Sequence, residues 1–143
     1  MTRIFKVRVP MEIKRVQQTH TVTIVSSKEI LIQDGGLGEV RVVFPIDYPF
    51  EPPQVWVNGE TMARFRRLPS VPFQEMYVRL FHECPCCMSI LCHERWFPGL
   101  TLKNVLDELR EFKARKRQIV KTVLIGETSD DLLDPVLDFM VVL

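Results

Sequence analysis

Apolar and polar positions along the chain change period several times, and each change marks an element. Residues 4–9, Ile-Phe-Lys-Val-Arg-Val, alternate and predict a short strand that Pro10 ends. Pro10 also suits the first position of a brief helix over 11–18, where Met11, Glu12, Lys14, Arg15, Gln17 and Gln18 favour helix. Three β-type runs follow, over 21–25, 29–33 and 39–44, separated by Ser26-Ser27-Lys28 and Asp34-Gly35-Gly36, the spacing of an antiparallel meander. Pro45, Pro49, Pro52 and Pro53 forbid a helix or a central strand and predict a rigid, extended corner, after which 54–57 resume as a strand. Residues 58–76 show no clear period and predict a long loop holding at most one helical turn. Leu102, Val105, Leu106, Leu109, Phe112, Ile119, Val120, Val123 and Leu124 recur at helical spacing, predicting a long helix over 101–125 that Gly126 stops. Asp134-Pro135 caps a predicted terminal helix over 136–142, whose apolar face (Val136, Leu137, Met140, Val141) should dock on the body. A meander of about four strands, with a short N-terminal helix and C-terminal helices kept apart from it, is an α+β plan, and 143 residues suit one domain.

Composition narrows what such a domain does. Nineteen Lys and Arg against eighteen Asp and Glu leave a net charge of +1, so no global field draws the chain to nucleic acid or an anionic membrane. The basic run Lys113-Ala-Arg-Lys-Arg117 lies near Glu108 and Glu111 without interleaved aromatics, which predicts a solvated helix face. The acidic end (Glu127, Asp130, Asp131, Asp134, Asp138) complements that run. No apolar run reaches the ~18 residues of a membrane span and the N-terminus has no apolar signal core, so the expected compartment is reducing: cytoplasm, nucleus or both. In that setting Cys84, Cys86, Cys87 and Cys92 stand out, because disulfides among them would close only tiny loops. The cluster reads as chemistry or as metal. His82, Cys84, Cys87 and Cys92 offer a zinc ligand set, with Cys84 and Cys87 at Cys-x-x-Cys spacing, although one short loop rarely wraps an ion unaided. Cys84 and Cys86 otherwise read as small buried hydrophobes.

The segment 43–55, Val-Phe-Pro-Ile-Asp-Tyr-Pro-Phe-Glu-Pro-Pro-Gln-Val, closely resembles the Phe-Pro-x-Asp-Tyr-Pro-Phe-x-Pro-Pro-x-Val signature of ubiquitin-conjugating enzymes. Arg79-Leu-Phe-His82 resembles the family's Arg-Ile-Tyr-His, Cys87-Met-Ser-Ile-Leu91 its Cys-Leu-Ser-Ile-Leu, and Trp96-Phe-Pro98 with the following Gly-Leu-Thr-Leu its Trp-Ser-Pro-Ala-Leu-Thr. The resemblance covers roughly residues 20–125, with these four landmarks in the family's order. The resemblance implies a UBC-like fold and a cysteine that accepts ubiquitin, or a related modifier, from an activating enzyme. That cysteine passes it to lysine directly or with a RING-type ligase. No cofactor is implied, since ATP is consumed upstream.

Such transfer needs an accessible, partly ionised thiol. Register to Met-Ser-Ile-Leu and to Trp96 implies Cys87 as the carrier, and Cys92, ten residues after His82, is its competitor. His82 and His93 are candidates to lower a thiol pKa. Phe50, with Phe97, Pro98 and Gly99, occupies the implied ligase-binding loops, whereas Trp96 reads as a core anchor. The chain also departs from the family. Residues are added between Val57 and Tyr77, and Glu83 and Cys84 follow His82 where the family has Pro and Asn. That asparagine supplies an oxyanion donor, and losing one such donor typically costs about 10² to 10³ in rate. A catalytically inactive binding module of the same fold, as in enzyme variants and RWD domains, is therefore the alternative, and a zinc-stabilised scaffold is the third.

Overall fold

In the computed structural model, which describes residues 2–85 and 89–125, the Thr2 hydroxyl accepts the Phe5 N–H at 3.1 Å and caps a first helix, α1 (Arg3–Gln17). The alternation at 4–9 is therefore helical, not a strand, and α1 is not short. Its buried residues, Phe5, Val9, Glu12 and Val16, are spaced by four, three and four, which is one face of a helix. Pro10 lies inside α1 on the exposed side, and burial of the opposite face outweighs a local penalty of about 3 kcal/mol.

Five strands follow: β1 (Thr21–Ile24), β2 (Glu29–Asp34), β3 (Gly38–Val43), β4 (Gln54–Val57) and β5 (Glu60–Thr61). They form one antiparallel sheet in the order 1-2-3-4-5. The predicted meander is present, and the short β5 extends it to five strands. Asn58 and Gly59, at φ 51° and 80°, make the two-residue turn between β4 and β5, the left-handed pair that an Asn-Gly hairpin requires. Ile30, Ile32, Val40, Val42, Val55 and Val57 alternate onto the buried face. On the other face Arg41 stands opposite Trp56, stacks over its ring at 4.6 Å and pairs with Glu29.

The proline corner folds into successive turns instead of an extended rod. The Tyr48 N–H donates to the Pro45 carbonyl at 3.0 Å and the Phe50 N–H to the Asp47 carbonyl at 2.7 Å. Most of the predicted long loop is helical, as α2 (Met62–Phe65) and α3 (Val71–Phe81). Pro72 sits in the first turn of α3, where no donor is lost, and Phe73, Tyr77 and Phe81 recur at helical spacing. After the cysteine loop, Thr101 and Asn104 form a reciprocal capping box that starts α4 (Leu102–Val120), which continues as a π-helical turn over Lys121–Ile125. Gly126, the helix predicted over 136–142 and the acidic end lie outside the described residues. Among the described residues no helix is long and apolar enough to cross a membrane.

Two charged nodes hold these elements together. Glu12, 1% exposed, accepts the Leu102 N–H at 2.8 Å on one oxygen. Its other oxygen takes Arg8 Nε at 3.1 Å and the Tyr48 hydroxyl. Burial, reinforced by the adjacent Glu12 charge, raises the Tyr48 phenol above its ordinary pKa. Asp34 accepts the Gly36 and Leu37 N–H groups on Oδ1, and Arg110 Nε and His20 Nε2 on Oδ2. Burial alone would raise its pKa, but the Arg110, His20 and backbone hydrogen bonds outweigh that and hold the carboxyl well below the usual range.

The basic run is not simply a solvated face. Lys113 Nζ donates to the Gly36 carbonyl at 2.6 Å. Arg115 binds Glu83 and Glu111. Lys116 is buried, with its Nζ bonded to the Phe65 carbonyl and 4.8 Å from the Phe65 ring centroid. Burial pushes the Lys116 amine down to about 8.

Glu12→Ala should destabilise the fold by about 3 kcal/mol in urea titrations, because it strands the Leu102 N–H, the Tyr48 hydroxyl and Arg8 together. Glu12→Gln, which keeps an acceptor for Leu102, should recover part of that loss. Asp34 binds its proton less readily folded than unfolded, so its contribution is fully present above the ordinary value of 3.8 and is lost as pH falls toward the lower native value. Asp34→Asn should therefore be less stable than the parent at neutral pH. Stability measured as a function of pH should show that gap closing as acid is added.

Candidate functional site

The loop between α3 and α4 carries the cysteines, and its entry is fixed by backbone geometry. His82 ends α3 in the left-handed region at φ 56°, with its N–H on the Val78 carbonyl at 2.8 Å and its side chain exposed. Glu83 is held by Arg115 Nη1 at 2.9 Å. Cys84 is exposed, not buried as its residue type predicted, because α3 has already ended and the chain runs along the surface before dipping at Pro85. Cys86 and Cys87 lie outside the described residues.

Their flanks are held from two sides. Arg66, at the end of α2, donates from Nε to the Pro85 carbonyl at 2.8 Å. Glu108, on α4, accepts the Ser89 hydroxyl at 2.6 Å and the Ile90 N–H at 2.8 Å. Arg66 Nη1 and Glu108 Oε1 are 3.6 Å apart, and the guanidinium stacks over Phe112 at 4.3 Å. Arg66 is 7% exposed, and this pairing is what makes its burial tolerable. The pair thus grips both edges of 86–88. Neither residue is marked as a clamp in the sequence, because a contact between residues on distant helices leaves no spacing signal.

Beyond the clamp the loop closes in a turn. The Cys92 N–H donates to the Ser89 carbonyl at 3.1 Å, and the Cys92 carbonyl accepts the Trp96 N–H at 2.9 Å. Cys92 and His93 are exposed. Cys84 and Cys92 line one cleft of about 870 Å³ with Met62, Leu68, Val71 and Val78, so α2 and α3 wall the cysteine loop. Neither His82 nor His93 lines it among the described residues. Among those residues no group of three or more His, Cys, Asp or Glu side chains is arranged to hold a metal ion. The quartet His82, Cys84, Cys87, Cys92 includes one residue outside that set.

Trp96 is the buried anchor its type predicted. Its indole N–H donates to the Pro49 carbonyl at 2.7 Å, and its ring lies 6.0 Å from that of Tyr48. This bond joins the proline corner to the segment before α4, and with them Phe50 to Phe97. Both rings are largely exposed, at 55% and 56%, as are Ile46, Pro98 and Gly99. A Cβ on Gly99 would meet the Phe97 ring at 3.0 Å, so glycine there lets the ring lie close against the backbone.

No family model matches the chain, and no curated protein matches it in sequence.

Removing Glu108 should loosen the cysteine loop while sparing the sheet. A hydrogen bond to a charged group contributes about 1.5–3 kcal/mol, so Glu108→Ala should speed exchange of the Ile90 amide by roughly 10- to 100-fold. Hydrogen exchange followed by NMR checks this, with the β2 and β3 amides keeping their protection.

Proposed function

We propose that the chain is a ubiquitin-conjugating-type enzyme of the cytoplasm or nucleus, in which Cys87 carries ubiquitin or a related modifier and Cys92 is the competing carrier. The observation that carries this proposal is the Trp96 to Pro49 hydrogen bond. It joins two separate signature segments, Tyr-Pro-Phe-x-Pro-Pro and Trp-Phe-Pro, the second of which follows the cysteine loop directly in the chain. The α+β order of helix, antiparallel sheet, proline corner, cysteine loop and long helix supports it as well.

The chemistry is thioester exchange. The Cys87 thiolate attacks the carbonyl carbon of the modifier's thioester on the activating enzyme, a new C–S bond forms, and the enzyme's thiolate leaves. A lysine amine then attacks the Cys87 thioester, giving an isopeptide bond and returning the thiol. Phe50 and Phe97 present the apolar grip for a RING-type ligase, with Pro98 and Gly99 shaping it. Oxyanion stabilisation is the weak point. Glu83 is committed to Arg115, and Cys84 stands where a side-chain amide would serve. That observation favours the second reading, a binding module of the same fold that carries no modifier.

A charging assay with an activating enzyme, ATP and ubiquitin separates the two. The expected result is an adduct that a thiol reductant releases, lost in Cys87→Ser and kept in Cys92→Ser. Loss only in Cys92→Ser would move the carrier to Cys92, and no adduct in the parent chain would leave the binding module. Phe50→Ala should charge normally yet lose stimulation by a ligase.

A further inference from the structure

The two edges of the sheet are finished differently. β5 is two residues long, carries Glu60 and runs straight into α2, so that edge is short and charged. β1 has neither device. Residues 21–27, Thr-Val-Thr-Ile-Val-Ser-Ser, hold no charge, no proline and no glycine. The Val25 N–H donates to the Glu29 carbonyl at 3.0 Å, and alternation along the strand then turns Thr21, Thr23 and Val25 toward β2. The N–H and C=O groups of Val22 and Ile24 therefore point to the open side, where no hydrogen bond from the described residues meets them. We propose that β1 is a self-pairing edge: a second copy of the chain docks its own β1 there, antiparallel, and joins the two five-stranded sheets into one.

The pattern of donors and acceptors selects this occupant, because it is complementary to itself. With Thr23 on the twofold axis, Val22 of each copy lies opposite Ile24 of the other, and both pairs exchange N–H and C=O bonds. No charge meets a like charge, since residues 21–25 are uncharged throughout. For the same reason nothing along this edge would single out a strand from a different protein. The side chains match as well. Ile24 stands opposite the buried Ile30 yet is 58% exposed, because β1 has no neighbour beyond it. A groove of about 420 Å³ beside Ile24, walled by Phe5, Val9 and Ile13 of α1, gives that face an apolar bed. Val22 of the second copy covers Ile24 from the edge side. A ladder of four residues buries less than the roughly 1,200 Å² of a stable complex, so the dimer dissociates on dilution.

Sedimentation equilibrium of the full chain in reducing buffer, from about 10 μM to about 1 mM, should show a reversible step from monomer to dimer. Hydrogen exchange by NMR over the same range locates the contact. With nine-tenths of the chain dimeric, the Val22 and Ile24 amides should exchange about tenfold more slowly than in the monomer, and Thr23, already bonded to β2, should change less. Thr23 is exposed, so substitution there spares the core. Thr23→Lys and Thr23→Glu each set like charges face to face across the axis, and each should stay monomeric at about 1 mM. An equimolar mixture of the two should restore the dimer, with the β2 and β3 amides protected throughout. A parent chain that stays monomeric would overturn the proposal. So would a dimer in which Val22 and Ile24 exchange as fast as in the monomer, or a mixture no more associated than either variant alone. Slow exchange at Val22 and Ile24 that ignores concentration would show an edge already paired within the chain, and would overturn it too. None of these measurements uses ubiquitin, so their outcome is separate from that of the charging assay.

Discussion

The carboxylate of Glu12 is withdrawn from water, and a buried charge survives only where its hydrogen bonds are supplied by the protein. Those bonds come from its own helix, through Arg8, from the proline corner 36 residues on, through Tyr48, and from the first amide of α4, 90 residues on. The last of these also sets a negative charge at the positive end of a 19-residue helix, where the aligned peptide dipoles favour it. Three elements far apart in sequence are thereby brought to one point. The Arg8 bond to the Leu100 carbonyl at 2.7 Å adds the loop before α4 to the same junction.

The candidate site inherits its order from that junction. Tyr48 packs against Trp96, Trp96 bonds to Pro49, and the exposed rings of Phe50 and Phe97 are carried by the residues next to these anchors. The cysteine loop has its own anchor in Arg66 and Glu108. Both arrangements follow one rule: a rigid, buried polar contact fixes a short stretch of backbone, and the neighbouring side chains are left outward for chemistry or recognition.

Sheet and long helix were legible because their periods are governed by one-sided burial. Ile30, Ile32, Val40 and Val42 alternate, and Leu102 to Val120 repeat at helical spacing, whichever partners they meet. The N-terminal helix was misread because Ile4, Val7 and Met11 are apolar yet exposed, so the apolar count over 4–9 did not mark the buried face. At the start of α3, Pro69 precedes the Ser70 cap and Pro72 lies in the first turn, where proline is favourable although it reads in the sequence as loop punctuation. The Asn58-Gly59 pair carries the usual mark of a tight hairpin, which the aperiodic residues after it obscure. Of the site, the cysteines and aromatics showed as residue types, whereas the Arg66 and Glu108 clamp depends on a tertiary approach that no local pattern encodes. Cys84 ran against its type because helix α3 ends just before it.

The stretch from Asn58 to Phe81 looks, in the chain, like an accessory that a smaller protein would do without. Its cation at Arg66 is nevertheless the counter-charge to Glu108, its Phe65 carbonyl receives the buried Lys116, and its Tyr77 packs against Phe112. Excising it would leave the Glu108 carboxylate without this counter-charge and the Lys116 ammonium without its Phe65 acceptor. The segment and α4 therefore form one interdependent unit, and a deletion tolerated by the sheet would still unbalance the long helix.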